Sequence, residues 1–103
     1  MYGMYGKLVA QAGKRDEFIR ILIQAAQIVG QLPECRLYVV NEDIAEANTI
    51  WVYEVWDDKE SHDASLKDER VRSLIAQAMP LMGGNPEGAE LKVAGGHGLA
   101  SNG

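Results

Sequence analysis

The stretch from Thr49 to Trp56, with the sequence TIWVYEVW, constrains the fold of this chain more than any other feature. It is rich in the β-branched and aromatic residues that favour strands. A second stretch of this kind, Cys35 to Glu42, precedes it, and the polar connector Asp43 to Asn48 separates the two. Because two strands joined by a short polar loop pair antiparallel, the sequence predicts a β-hairpin over residues 35–56.

Helical patterns stand on both sides of this hairpin. From Lys14 to Gln31 the apolar residues recur at steps of three and four, which predicts one long amphipathic helix. After the hairpin, Asp57 and Glu60 resemble a capping box, and Asp68 can cap a further helix. The sequence therefore predicts one helix before the hairpin and a pair of helices after it.

Shorter strand patterns lie near the two ends of the chain. Residues Met4 to Gln11 favour a first strand, and residues Glu90 to Ala94 favour a last one. The predicted order is strand, helix, strand, strand, helix pair, strand. This is the α+β plan of the ferredoxin-like βαββαβ fold, in which one antiparallel sheet carries its helices on one face.

The length of 103 residues fits one compact domain, because a second domain would leave neither half enough residues for a core. The sequence predicts a single domain over residues 1–98 and a flexible tail over residues 99–103. Apolar residues make up 47% of the chain and charged residues 24%, which is typical of folded proteins and unlike disordered ones.

The charge and hydropathy of the chain argue against nucleic-acid and membrane partners. A formal charge of −5 repels phosphate backbones, and no basic run with interleaved aromatic residues is present. No segment reaches the roughly 18 apolar residues that cross a bilayer. The N-terminus does not resemble a secretory signal, so a cytoplasmic location is expected. Cys35, the only cysteine, leaves no intrachain disulfide and is expected to be a packed apolar residue.

Strand alternation divides the side chains of the Thr49–Trp56 strand between two faces. The two sets are Trp51, Tyr53 and Val55 on one face and Ile50, Val52, Glu54 and Trp56 on the other. The second set is assigned to the face that the helices cover, which leaves the first set bare. Because a bare, partly apolar face of this size normally finds a partner, the sequence predicts a homodimer.

Four segments of the chain carry a resemblance to a known family. They are MYGxxGKLxAxxGKRDEF at the start, PECRLYVVNED, the hairpin end YEVWDDKESHD, and ELKVAGG near the end, so the resemblance spans about Met1 to Gly98. Together they resemble the antibiotic biosynthesis monooxygenase family, in particular its quinol monooxygenase-like members. The resemblance implies a dimeric α+β barrel, in which two sheets pack face to face and each subunit keeps a pocket between its sheet and its helices.

The resemblance also implies a chemistry. Relatives with known activity oxidise polycyclic phenols or quinols with molecular oxygen and without flavin, haem or metal, which predicts a monooxygenase with no cofactor. The sequence contains no P-loop and no GxGxxG, and two histidines and one cysteine make no credible metal cluster. Two alternatives stay open on the same scaffold: a non-redox isomerase of a small metabolite, and a ligand-binding or stress-associated dimer without turnover.

Oxygenation without a cofactor requires a base, donors for the resulting anion and a dry cavity. His62 is the candidate base, because an imidazole accepts a proton near neutrality. Trp56 is the second candidate catalytic residue, because its indole can stack on a flat ring and donate its N–H. The structural alternatives are a solvated histidine on a helix and a tryptophan that only fills the core.

Three further residues, Glu54, Asn41 and Tyr38, are candidates for binding the substrate. Glu54 is an acid within an otherwise apolar strand. Its burial would either raise its pKa or call for a cationic partner, such as Arg36 or Lys7. In that second case Glu54 would be part of a structural ion pair.

Two other activities are disfavoured by the sequence. Asp58, His62 and Ser65 are spaced along a helix like the members of a hydrolase triad, but no GxSxG elbow accompanies them. Some haem-degrading relatives carry an asparagine on the first strand, which is absent here, and a histidine where this chain has Leu66. His97, the second histidine, is assigned to the glycine-rich tail.

Overall fold

A computed structural model describes residues 1–99 of the chain. Within these residues it contains the strands β1 (Tyr2–Val9), β2 (Cys35–Glu42), β3 (Thr49–Trp56) and β4 (Glu87–Lys92), and the helices α1 (Arg15–Val29), α2 (Lys59–Ser65) and α3 (Glu69–Ala78). A 3-10 turn, Met79–Leu81, follows α3 directly. No helix in this part of the chain is long and apolar enough to span a bilayer.

The four strands form one sheet in the order β2-β3-β1-β4, and every neighbouring pair is antiparallel. This order, with one helix after β1 and a helix pair after β3, is the ferredoxin-like βαββαβ arrangement and confirms the predicted α+β fold. Strand β3 lies between β2 and β1. Its Glu54 therefore faces Tyr38 of β2 on one side and Met4 of β1 on the other.

The boundaries of the two outer strands differ from the sequence prediction. Strand β1 begins at Tyr2, and the last strand is Glu87–Lys92 where the sequence predicted Glu90 to Ala94. The register explains the shift, because Lys7 pairs with Glu87 and Tyr2 pairs with Lys92. Backbone pairing with β1 makes a strand of the polar segment EGAELK, whose own composition gives little sign of one.

Helix α1 confirms the predicted apolar stripe, since it buries Phe18, Ala25 and Val29 against the sheet side of the molecule. The predicted cap of α2 is wrong by one position. Asp58 is the N-cap, and its carboxylate accepts a hydrogen bond from the Ser61 backbone N–H at 2.8 Å.

Asp57, the residue predicted to cap α2, instead accepts a hydrogen bond from Arg36 Nε at 2.6 Å. Asp68 caps α3 as predicted, because its carboxylate accepts from the backbone N–H groups of Arg70 and Val71.

The apolar core lies between the helices and one face of the sheet. It forms two clusters of buried residues: Ala10, Phe18, Ile50, Val52, Ala78 and Leu81 in the first, and Val29, Cys35, Trp56 and Val71 in the second. Trp56 is completely buried, and Cys35 beside it is a packed residue, as predicted. Burial raises the pKa of the Cys35 thiol, which disfavours the reactive thiolate.

The opposite face of the sheet carries an aromatic group on β1 and β3. The Tyr5 ring lies 5.5 Å from the Trp51 ring and 6.0 Å from the Tyr53 ring, which confirms the predicted alternation. Beyond β4 the chain returns toward β2, where the Leu99 carbonyl accepts a hydrogen bond from Arg36 Nη1. The rest of the predicted flexible tail lies outside the described residues.

Two glycines that face each other on β1 and β4 give a test of this register. A Cβ on Gly88 would lie 2.7 Å from the Tyr5 carbonyl oxygen, whereas a Cβ on Gly6 would meet nothing closer than 3.9 Å. We expect Gly88→Ala to lower the free energy of unfolding by about 1–3 kcal/mol, the usual cost of forced contacts. Gly6→Ala should change it by less than about 0.5 kcal/mol. Urea denaturation measures both, and equal effects of the two variants would contradict the pairing.

Candidate active site

Two adjoining cavities lie between the sheet and the helices. Their volumes are about 340 Å³ and about 280 Å³. Both are bordered by the same five residues: Leu8, Leu22, Tyr38, Glu54 and Pro86. Most of the remaining wall of the second cavity is aliphatic, supplied by α1 and α3. Among the residues described, no lysine or arginine borders either cavity.

A pair of glycines lies in the sheet wall of the first cavity. Gly6 and Gly88 pair directly across β1 and β4, and both border this cavity. Because Gly6 has no side chain, the sheet is open at this position, whereas at Gly88 a Cβ would lie too close to the Tyr5 carbonyl oxygen. Neither glycine was among the predicted site residues, since their pairing depends on the register of β4.

Glu54 is the carboxylate that borders both cavities, and its side chain is 14% exposed. Burial raises the pKa of this carboxyl group, and two neighbours oppose the shift: the hydrogen bond from Trp56 and the charge of His62. The effect of burial is the largest, so the protonated form of Glu54 persists to higher pH than in a free glutamate.

Trp56 and His62 both contact Glu54 on the side away from the cavities. The Trp56 indole Nε1–H donates a hydrogen bond to Glu54 Oε1 at 3.1 Å, and His62 Nε2 lies 3.8 Å from the same oxygen. The indole and imidazole rings meet edge to face at 5.9 Å. The structure therefore brings Trp56, His62 and Glu54 together. Of these three, only Glu54 borders a cavity.

His62 is buried, which excludes the alternative of a solvated helix histidine. Its second ring nitrogen, Nδ1, lies 3.0 Å from Asp63 Oδ1. Asp63 is about half exposed, and Lys59 Nζ lies 3.8 Å from its other oxygen. The sequence analysis did not single out Asp63, although an acid directly after a candidate histidine was a visible signal.

The arrangement of Asp58, His62 and Ser65 does not form a hydrolase triad. The Ser65 hydroxyl donates a hydrogen bond to the His62 backbone carbonyl at 2.6 Å, and Asp58 caps the helix. Within residues 1–99, no group of three His, Cys, Asp or Glu side chains could hold a metal ion.

Tyr38 and Asn41 lie on opposite faces of the sheet. Tyr38 stands beside Glu54 at the cavities, and burial, together with the charge of Glu54, raises the pKa of its phenol above the usual range. The phenol therefore stays protonated and can donate a hydrogen bond. The Asn41 amide donates to the Trp51 carbonyl at 2.9 Å on the open face, and Asn41 borders neither cavity, so its contact with a substrate stays a prediction.

The predicted ion pairs of Glu54 are also wrong. Arg36 binds Asp57, and Lys7 lies 4.0 Å from Glu87 on the far strand. Glu54 thus has no lysine or arginine partner within residues 1–99. Polar atoms within 4 Å of its carboxylate include the Trp56 Nε1–H and the His62 Nε2.

The family model and several of the solved structures that match this chain carry the same family name. The model of the family described as antibiotic biosynthesis monooxygenase matches residues 1–77. A structure from Chloroflexus aurantiacus, named as a candidate antibiotic biosynthesis monooxygenase, is 41% identical to this chain. The match covers 96% of this chain and 98% of that one, with a TM-score of 0.88. No curated protein matches this chain.

Two more distant structures share the fold. One, from Caulobacter crescentus and with the same name, is 21% identical over 91% of this chain and 90% of its own, with a TM-score of 0.85. The other is SnoaB, a cofactor-independent oxygenase from Streptomyces nogalater, which is 12% identical over 93% of this chain and 95% of its own, with a TM-score of 0.79.

The raised pKa of Glu54 predicts how pH affects stability. Folded Glu54 holds its proton more tightly than the unfolded chain does, so its contribution is complete below the ordinary pKa of 4.5 and is lost as pH rises through the folded pKa. Glu54→Gln removes this loss and keeps an acceptor for the Trp56 N–H. The stability gained by Glu54→Gln over wild type should therefore grow between pH 4 and pH 8.

Urea denaturation at several pH values measures this difference. Glu60→Gln is the matched control for removing one carboxylate, since Glu60 is an exposed acid of α2. A constant difference for Glu54→Gln, or one that shrinks as pH rises, would contradict the assignment.

Proposed function

Because the chain belongs to the antibiotic biosynthesis monooxygenase family, we propose that it oxidises a phenolic or quinol-type small molecule with molecular oxygen and without a cofactor. The observation that supports this most is the largely buried carboxylate of Glu54 in the wall of a cavity that is lined mainly by apolar groups. A carboxylate in such a place has the position and the environment of a general base.

The cavities suit a flat, mostly apolar substrate. The larger has a volume of about 340 Å³, within the range of about 300–1,000 Å³ found for small-molecule sites. Glu54 and Tyr38 are the polar side chains that border both cavities. A hydroxylated ring would place its O–H at Glu54 and accept a hydrogen bond from Tyr38.

The charges around the cavities favour a neutral substrate. The first cavity is bordered by Glu87 and Glu90 as well as by Glu54. Glu87 and Glu90 are exposed and lie near Lys7 and Lys59. However, an anionic group would also meet the largely buried Glu54 carboxylate, which has no lysine or arginine among the described lining residues, and this costs free energy. This argues against anionic substrates, including an anionic metabolite for the alternative of a non-redox isomerase.

The chemistry begins with proton transfer from the substrate O–H to Glu54. The resulting phenolate is electron-rich and reduces oxygen directly. For a quinol, one ring C–H becomes C–OH and the quinol becomes a quinone, while the second oxygen atom leaves as water. The substrate supplies all the electrons, so the balance needs no other reductant.

The residues around Glu54 then have distinct roles. Trp56 holds the carboxylate in place through its N–H, and Tyr38 donates to the substrate oxygen as its negative charge develops. Burial of Glu54 brings its pKa closer to neutrality, where a general base is most effective. The sequence predicted His62 as the base. In this proposal Glu54 is the base instead, and His62 acts on the substrate only through its contact with Glu54.

We also propose that the chain is a homodimer through the open face of the sheet. Tyr5 and Val39 on this face are 41% and 39% exposed, and the Tyr5, Trp51 and Tyr53 rings form a contiguous aromatic surface. A second copy of this face would cover it.

Oxygen consumption tests the proposed reaction. Purified, metal-free protein should consume oxygen with at least one member of a panel of neutral quinols, and Glu54→Gln should lower the rate by about 10²–10⁴-fold, the usual contribution of a general base. A sulfonated quinol of the same ring size should react at least about tenfold more slowly, because the anion is poorly accommodated.

Glu60→Gln serves as the control, since Glu60 lies outside both cavities and should leave the rate unchanged. Binding of quinols without oxygen uptake would instead support a ligand-binding protein. An undiminished rate in folded Glu54→Gln would reject Glu54 as the base.

Sedimentation equilibrium tests the dimer. The wild-type chain of 11.3 kDa should sediment as a dimer at micromolar concentration. Tyr5→Lys, which places a charge at the centre of the aromatic surface, should shift it toward the monomer. A stable wild-type monomer would contradict the proposal.

A further inference from the structure

We propose that His62 and Asp63 form a proton relay, which carries the proton that Glu54 takes from the substrate out to solvent. This inference rests on the proposed function. Its two members are positioning residues, because neither touches the cavities and both act through Glu54.

Three side chains in contact connect the cavity wall to the protein surface. Glu54 Oε1 lies 3.8 Å from His62 Nε2, and His62 Nδ1 lies 3.0 Å from Asp63 Oδ1. The exposed fractions of the three side chains are 14%, 6% and 49% in that order. The buried imidazole thus has one nitrogen toward the buried acid and the other toward an acid that reaches solvent.

Asp63 determines which nitrogen of His62 carries the proton. The hydrogen bond with His62 lowers the pKa of the Asp63 carboxyl, so this group is ionised near neutrality and can only accept. His62 must therefore donate from Nδ1. Its Nε2 then faces Glu54 Oε1 across 3.8 Å with a free lone pair whenever the imidazole is neutral, and the two atoms must approach to hydrogen-bond distance for the proton to pass.

The neighbours of His62 hold its ring in this orientation. The Tyr2 ring lies 5.5 Å from it and the Trp56 ring 5.9 Å, on β1 and β3 respectively. The charged groups near the relay are Lys59, which contacts Asp63 at 3.8 Å, and Glu90 of β4, which binds Lys59 at 2.9 Å. Lys59 offsets one of the two negative charges of Asp63 and Glu90, and the charge of Lys67 also acts on Asp63.

The transfer balances as a chain of proton exchanges. The substrate O–H bond breaks as the Glu54 O–H bond forms, and that proton then moves to His62 Nε2. The Nδ1 proton leaves through Asp63 to water. Between turnovers the Nε2 proton is lost to water and a proton from water returns to Nδ1 through Asp63, so the ring regains its starting form and one proton has left the cavity. No electrons move in these steps, so the relay adds nothing to the redox balance.

The 15N spectrum of the ring nitrogens tests the relay without any substrate. In the wild type at neutral imidazole, His62 should show a protonated Nδ1 and an unprotonated Nε2, the reverse of the tautomer that free histidine favours. Asp63→Ala should move His62 toward the protonated Nε2 form, and Glu60→Gln should not. His97→Gln assigns the signals, since His97 is the only other histidine. A protonated Nε2 in the wild type, or no change in Asp63→Ala, would overturn the relay.

A kinetic measurement separates the relay from the proposed function. With a quinol that supports oxygen uptake, Asp63→Ala should lower kcat by about 10²-fold while KM stays within about twofold, because Asp63 does not touch the substrate. If no quinol supports oxygen uptake but the spectra follow expectation, the proposed reaction fails and the tautomer assignment stands. If uptake occurs and kcat is unchanged in Asp63→Ala, the relay fails and the proposed reaction stands.

Discussion

The proposed chemistry depends on the burial of one carboxylate, Glu54. A charged group placed between a sheet and its helices is costly unless other groups compensate for the lost water. Here the compensation is partial, since the Trp56 N–H donates to the carboxylate and the His62 ring stands near it, without a lysine or arginine among the described residues. The pKa of Glu54 is raised as a result. Because burial disfavours the ionised carboxylate, Glu54 binds a proton more tightly than an exposed glutamate does, as a general base requires.

The fold supplies the other requirements of such a site. Strand alternation on β3 places Glu54 on the helix-covered face, and the central position of β3 keeps the sheet edges away from it. The helices α1 and α3 provide the apolar wall, and Gly6 leaves space on the sheet. The element order of the fold is therefore consistent with a pocket between the sheet and the helices.

The sequence predicted most of the fold but only part of the site. Residues with strong local signals, such as the β3 stretch and the Asp68 cap, were placed correctly because their structure depends on neighbours in the sequence. Strand β4 was misplaced because its extended form comes from pairing with β1. Asn41 was grouped with Tyr38 although it lies three positions away, an odd spacing that puts the two on opposite faces of the sheet. Whether Trp56 or Glu54 borders the cavity depended on packing depth, which periodicity does not encode.

The protonation of Glu54 can be measured directly. The 13C NMR signal of its side-chain carboxyl carbon is followed as a function of pH in protein labelled with 13C at glutamate. Glu54→Gln identifies the signal by its disappearance. We expect the Glu54 carboxyl to titrate with a midpoint above the ordinary 4.5 and to remain partly protonated where exposed glutamates are fully ionised. A midpoint at or below 4.5 would mean that the cavity does not disfavour the charge, and Glu54 would then have no special capacity as a base.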